Sequence, residues 1–528
     1  MCEREFACGD GHQLVVDKEL MFRDDKYDRP IGVLFDSEKG RRVGAQLKLK
    51  RCDLFDSNVV SIADDEFFRI AHGDSLHGVS EAGKVSLLDC VRGGMLSTTT
   101  WNDFAIRHGN VSFRYALFGK RHVSTDEKCI RGIQFTLEGA DSCVFVHDKF
   151  NRFGYLHDPD EEILDVIEKK RPKYMKGELV KGKAMVSYFT GDWDFLPRFK
   201  TVLGTVHIGR RMQVDFFGRS MEDTQRITVN FDDDPTTLEG AWVKVREIHQ
   251  FFAWMMGYAP GWKDVLVFTS RLEEHGFRED ADGLEVFYPC EWKEVPEGTR
   301  QNGSLIDASR HPDHFVEVMT KWLERNGNAR RKSANTRFFG SMQGTWDRLI
   351  EDRIVAAANT FDLLPVEDKP EGQPLPDDVR QVLKDAIKKI GKLLATGALR
   401  DDVLTALGDI RANRRLRDIV KHRADVVLVH YGANNLQELK DVVRLAVKCR
   451  NYYTHGPGDK DAGDVNFADI DVVIFLTETL EFIYCASELL LCGWDSQKSD
   501  RDERHPLGDY IYSYDANRSM ILGERRKS

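Results

Sequence analysis

Three side chains near one helix end have the types that proton transfer on a phosphate needs. In RNYYTHGPG, residues 450–458, an arginine, an amide and a histidine fall within six positions. His455 can hold or release a proton near neutral pH, as a general acid or base must. Arg450 offers a planar fork that matches a phosphate, and Asn451 beside it is both donor and acceptor. Together, with no metal-ligand cluster in the sequence, they suit cleavage of RNA by its own 2′-hydroxyl. Gly456 can take the left-handed cap conformation and Pro457 cannot continue a helix. His455 is therefore expected in a last turn, where the helix dipole favours an imidazolium. There the backbone need not hold the ~140° that separates residues five apart on a helix. The plainer reading is a glycine-capped helix with a surface histidine.

Spacing alone does not choose between them, because R-x-x-x-x-H occurs three times. Arg152 and His157 frame RFGYLH, which reads as a strand end. Arg417 and His422 frame RDIVKH, inside a helix that continues through ADVV, so the two side chains do not converge. Only RNYYTH ends where its helix stops. The helix holding RDIVKH is notable for charge instead: Arg411, Arg414, Arg415, Arg417, Lys421 and Arg423 face one acid, Asp418. Backbone phosphates are the natural target of such a face, and acids on a neighbour are the other. Tyr452 and Tyr453 could stack on a base or pack into the helices around them.

The elements that must position these residues change character along the chain. The first half alternates with period two. In RRVGAQLKLK, Val43, Ala45, Leu47 and Leu49 share one face, and in RGIQFTLEG Ile133, Phe135 and Leu137 oppose Gln134 and Thr136. Similar runs are KVSLLDC, NVSFRYALFG, AMVSYFTG, TVHIGRRMQVDFFG and VLVFTS. Short antiparallel strands with one face on a core are expected, in a sandwich or distorted barrel. Helices interrupt them at 158–174 and 236–261. A polar connector follows, with a short helix in HFVEVMTKWLERN. From about 333 the period becomes helical: Phe338, Met342, Trp346, Ile350, Ile354, Ala357 and Phe361 form one stripe. Further helices are expected at 375–395, 401–427, 434–455 and 466–493, the last being the most apolar and so central. The expectation is an α+β multidomain chain: a β-rich domain over 1–290 with inserted helices, a connector at 291–332, an all-α bundle over 333–495 and a polar tail at 496–528.

Composition bounds the function. Of 528 residues, 76 are Lys or Arg and 87 Asp or Glu, a formal net charge of −11. Nucleic acid would then bind a local basic patch, not the whole surface. The 10 cysteines include no C-x-x-C pair, which favours reduced thiols over disulfides or zinc. The start, MCEREFACGDGHQ, lacks the pattern of a signal peptide, and no apolar run reaches the length of a membrane span. Glu478, Glu481 and Glu488 break the most apolar segment. A cytoplasmic protein with no membrane contact is expected. His72 and His77 lack a third ligand, Asp232–Asp234 read as a turn, and phosphate-loop, zincin and nucleophile-elbow motifs are missing, so no metal or cofactor is implied.

The fourth helix, closing in R-N-x-x-x-H, resembles the HEPN superfamily. TRFFGSMQGTWDRLIEDRIVAAANTFDLLP and CRNYYTHGPG look like the ApeA-type HEPN domain of bacterial abortive-infection proteins. GVLFDSEKGRRVGAQLKL and FFRIAHGDSLHGVSEAGKVSLLDC look like the N-terminal domain that accompanies it. The resemblance implies a metal-independent endoribonuclease acting in phage defence. Arg450 and His455 would be catalytic and Asn451 supporting, and the product would carry a 2′,3′-cyclic phosphate. It implies a homodimer or higher homo-oligomer, because such motifs usually meet in pairs. The two-part layout, with no chemistry in the first half, leads to the expectation that the N-terminal half restrains the nuclease and senses a phage-derived trigger. Where family members tend to carry Glu, near Trp346, this chain has Asp347. Two other classes stay open. One is a bundle that binds RNA or a nucleotide without cutting. The other is a carbohydrate-active sandwich using residues such as Trp193 between Asp192 and Asp194.

Overall fold

A computed structural model describes residues 31–36, 42–49, 59–62, 72–81, 83–101, 104–144, 153–170, 185–189, 196–214, 221–270, 283–287, 304–308, 310–343, 350–371, 377–394, 400, 403–404, 415–456, 465–496 and 505–523. The chain splits into two compact units, Met1–Arg246 with Pro260–Pro296, and Glu247–Ala259 with Glu297–Ser528.

The alternating runs form strands in the first unit. They are β1 (Ile31–Asp36), β2 (Arg42–Lys48), β3 (Val59–Ile62), β4 (Asp74–Ser80), β5 (Gly83–Trp101), β6 (Phe104–Ser112), β7 (Tyr115–Gly119) and β8 (Gly132–Leu137). After these come β9 (Phe153–His157), β10 (Met185–Phe189), β11 (Phe199–Thr201), β12 (Gly204–Val214), β13 (Met221–Asn230), β14 (Trp262–Phe268) and β15 (Gly283–Phe287). Thirteen of them make one antiparallel sheet in the order β11-β12-β13-β8-β14-β15-β7-β5-β4-β1-β2-β3-β6, while β9 and β10 pair separately. The long β5 pairs with β4 and β7 through its first half and with β6 through its second. Thus β6 meets both β3 and β5, though the thirteen-stranded sheet as a whole is not closed. Val33, Phe35, Leu47, Leu49, Val85, Leu87, Val111 and Phe118 fill one core.

The one-faced reading of β8 does not hold. All six of its residues are buried, Gln134 and Thr136 included. It is an interior strand between β13 and β14. Its polar side chains bond inward: Gln134 Nε2 donates to Thr228 Oγ1 at 2.8 Å and Thr136 Oγ1 to the Gln225 carbonyl at 3.1 Å. Hydrogen bonding makes such burial tolerable.

The helices are α1 (Asp141–Val144), α2 (Glu161–Lys170), α3 (Leu238–Met256), α4 (Pro312–Asn326), α5 (Ala329–Gln343) and α6 (Ile350–Asp362). Beyond them lie α7 (Asp377–Leu393), α8 (Leu416–Tyr431), α9 (Leu439–His455), α10 (Ile470–Leu491) and α11 (Pro506–Gly523). Helix α3 gives residues to both units. Trp242 packs on Trp262 at 4.9 Å in the first. In the second, Trp254 meets Trp322 at 5.6 Å, Phe338 at 5.2 Å and Tyr484 at 5.9 Å.

The period-3.6 half is a bundle around α10, which packs against α4, α6, α8, α9 and α11. Its sequence is apolar on every face, and Val472 through Leu489 are almost all buried, as a central helix requires. The stripe of the first bundle helix appears as buried Phe338 in α5 and Ile354, Ala357 and Phe361 in α6. Trp346 and Asp347 lie outside the described residues. The segment read as a polar tail contains α11, whose Tyr510 and Tyr514 are buried. Tyr510 stacks on Phe482 with centroids 4.4 Å apart. Polar residues on its outer face hid an apolar stripe too narrow to stand out.

Candidate active site

Helix α9 buries Val442, Val443, Ala446 and Cys449 against the bundle, which leaves its C-terminal end at the surface. Gly456 caps it with φ +84°, and the Gly456 N–H donates to the Tyr452 carbonyl at 2.9 Å. The stop signal in the sequence is thus real. The relaxed angle expected with it is not: the helix persists through His455. Arg450 and His455 therefore leave the axis about 140° apart and rise about 7.5 Å along it. Their Cα–Cβ bonds thus leave different sides of α9.

Arg450 is half-buried and held from two sides. Its Nη2 donates to Asn359 Oδ1 of α6 at 2.8 Å, and its Nη1 to Asn451 Oδ1 at 3.2 Å. Arg450 Nε is buried and has no partner among the described residues. Partial desolvation raises the nearby Asp362 carboxyl, against the opposing pull of Arg450 and Lys369. His455 is exposed at the helix end. Thr454 Oγ1 donates back to the Arg450 carbonyl at 2.8 Å and ties down the last turn. Tyr453 donates its hydroxyl to the Phe467 carbonyl at 2.6 Å, and Tyr452 lies 5.8 Å from the Phe467 ring. Both tyrosines are half-buried.

The basic helix divides. Arg411 and Arg414 lie outside the described residues. Arg415 is exposed at the start of α8, Lys421 is half-exposed, and Arg417 sits 3.5 Å from Asp418. Arg423 does not belong to that surface. It is 1% exposed and pairs with Glu488 of α10. Its position four residues after Ile419 and seven after Leu416 turns it inward. Arg325 and Arg331 also reach Glu488, and both pair with Asp368. Burial pulls Arg423 down to about 10, so it stays charged at neutral pH. Burial pushes Asp368 up, but Arg331, Arg423 and Arg325 outweigh it and hold the carboxyl below its ordinary value.

A second acid of α10, Glu481, accepts Arg353 Nε at 2.9 Å and Nη2 at 2.6 Å. Burial pushes its neighbour Glu478 up to about 7, against Arg353 and with help from Glu481 and Asp509. The sequence held a signal for these pairs, since acids inside the most apolar segment must find cations. Asn359 had a weaker one: an amide interrupting the stripe of α6.

Elsewhere the candidates stay apart. His77 meets His122 with ring centroids 4.9 Å apart, while His72 is exposed. Among the described residues no three His, Cys, Asp or Glu side chains group as a metal site would need. Asp232–Asp234 form an exposed turn, and Thr205 Oγ1 donates to Asp232 at 3.1 Å. His157 ends β9, while Arg152 and the Asp192–Asp194 segment lie outside the described residues. His422 is exposed within α8, which runs on to Tyr431.

Family comparison agrees with this layout. Residues 43–322 match the ApeA N-terminal domain 1, and residues 357–498 match the Apea-like HEPN domain. No curated protein and no solved structure matches the chain. An antiparallel sheet region ahead of a helical HEPN domain defines a HEPN nuclease-type abortive-infection protein. The chain belongs to the ApeA family.

Proposed function

We propose that the protein is a metal-independent endoribonuclease that defends the bacterial cytoplasm against phage by abortive infection. The observation that carries this reading is the Arg450 guanidinium, gripped by two neutral amides at the open end of α9, with an exposed imidazole in the same last turns. The RNA 2′-oxygen attacks phosphorus, the O2′–P bond forms and the P–O5′ bond breaks. A base takes the 2′-hydroxyl proton and the 5′-oxygen receives one, which leaves a 2′,3′-cyclic phosphate and a 5′-hydroxyl. Arg450 binds and polarises the phosphate, Asn451 supports it, and His455 moves one of the two protons. Arg415, Arg417 and Lys421, with Arg411 and Arg414, hold the RNA backbone. The divergence of Arg450 and His455 on one helix favours a homodimer or higher assembly, in which a second copy completes the site. A phage-derived trigger releases restraint by the β-rich domain.

That same divergence favours a second reading, an RNA binder that does not cut. One experiment separates the two. Purified full-length protein is incubated with total RNA in EDTA, with and without phage lysate, beside His455→Ala and His422→Ala. The expected result is cleavage to 2′,3′-cyclic ends, lost only in His455→Ala. RNA retained by every form and cut by none supports the binder. Cleavage surviving in His455→Ala refutes the assignment of His455.

A further inference from the structure

The geometry points to Asn359 as the positioning residue that aims the Arg450 fork while leaving its charge intact. This rests on the ribonuclease reading above. Asn359 stands 91 residues before Arg450 in sequence, and its Oδ1 accepts Nη2 at 2.8 Å. That contact fixes the guanidinium plane against α6, on which α9 packs. Asn451 accepts the other Nη at 3.2 Å. Two of the five guanidinium N–H groups are so used, one on each terminal nitrogen, and each terminal nitrogen keeps one N–H for a phosphate.

The chemical identity of the partner matters more than its presence. Other arginines of the bundle are held by carboxylates: Arg353 by Glu481, Arg331 by Asp368, Arg423 by Glu488 and Arg518 by Glu438. Those pairs cancel charge and serve the fold. Arg450 instead bonds to amide oxygens, although Asp362 lies close enough to feel its charge. An amide orients through one hydrogen bond and supplies no anion. The full positive charge then faces the phosphodiester, whose equatorial oxygens gain negative charge as the 2′-oxygen attacks. A carboxylate in the same place would aim the fork equally well and compete with the phosphate for it.

The test is Asn359→Asp beside Asn359→Ala, in the full-length protein. Asp has the shape of Asn and keeps the acceptor, so it changes charge alone. Melting temperatures and RNA affinity are measured first, then steady-state cleavage in EDTA with phage lysate at pH 8. Asn359→Ala is expected to lower kcat about 100-fold, with a much smaller change in KM, because the fork loses its aim. Asn359→Asp is expected to be comparably slow at pH 8. Its melting temperature should match or exceed that of wild type, since the new carboxylate pairs with Arg450 and stays ionised at this pH. A purely structural role would make the rate follow the melting temperature, so Asn359→Asp would then cut like wild type. Wild-type kcat in Asn359→Ala would overturn the inference, as would wild-type kcat in Asn359→Asp. If wild type itself cuts no RNA with lysate present, the ribonuclease reading fails and carries this inference with it. That failure shows in the wild-type lane, so the two are told apart.

Discussion

Arg450, Asn451 and His455 share one short motif, yet they face different surroundings. Arg450 is half-buried against α6 and His455 is exposed one and a half turns later. His455→Ala should lower cleavage at least about 100-fold, the usual worth of a positioned proton-transfer group. His422→Ala, in the same R-x-x-x-x-H spacing but mid-helix, should leave the rate unchanged. Gly456 sets where the helix ends. Nothing lies within 4 Å of a Cβ placed there, so Gly456→Ala meets only backbone strain at φ +84°. That should cost about 1–3 kcal/mol in urea unfolding. Glu478 makes a pH prediction. Its carboxyl is pushed up to about 7 in the folded protein, above the ordinary value of 4.5. Below pH 4.5 both states are protonated and folding suffers no penalty. Between pH 4.5 and 7 the unfolded chain ionises while the folded protein keeps its proton, so stability falls across that window and the penalty is complete above 7. Glu478→Gln should therefore raise the melting temperature at pH 8 and leave it nearly unchanged at pH 4.

Pairs between elements hold the bundle in register. Glu488 of α10 is met by Arg423 of α8 and by Arg325 and Arg331 from the ends of α4 and the start of α5. Removing Glu488 strands the buried Arg423 charge. Glu488→Gln should cost about 3–5 kcal/mol in urea unfolding, and Arg423→Met less, because Arg325 and Arg331 still reach Glu488. The double change should cost less than the sum, because neither charge is then left alone. The N-terminal sheet solves the matching problem without charge, by hydrogen-bonding Gln134 and Thr136 inside a two-faced strand.

The two compact units do not follow the change of period in the sequence. The second unit takes Glu247–Ala259 from the middle of the β-rich half. Phe251, Trp254, Trp322 and Phe315 are core residues of that unit, all N-terminal to residue 333. A fragment of residues 333–495 also lacks α11, with Tyr510 stacked on Phe482. Expressed alone, it should have helical circular dichroism yet bind a hydrophobic dye and melt without a cooperative transition. A sharp melt would show that the bundle does not need those residues. Among the described residues no helix is long and apolar enough to cross a membrane.

The sequence alone determined what depends on neighbours along the chain. Period two against period 3.6 separated strands from helices, Gly456 and Pro457 marked the end of α9, and the apolarity of 472–493, high despite three acids, made α10 central. The matching motif picked out Arg450, Asn451 and His455, which lie within one helix turn and a half. Only the tertiary structure decided which groups meet across elements. It placed Asn359 on Arg450, turned Arg423 inward to Glu488, buried both faces of β8 and divided α3 between two cores. The physical reason is range. Helix ends and strand alternation follow from local backbone sterics and side-chain periodicity, which a single stretch of sequence contains. A hydrogen-bond or charge partner is fixed by packing between segments far apart in the chain, and many residues of the right type compete for each place.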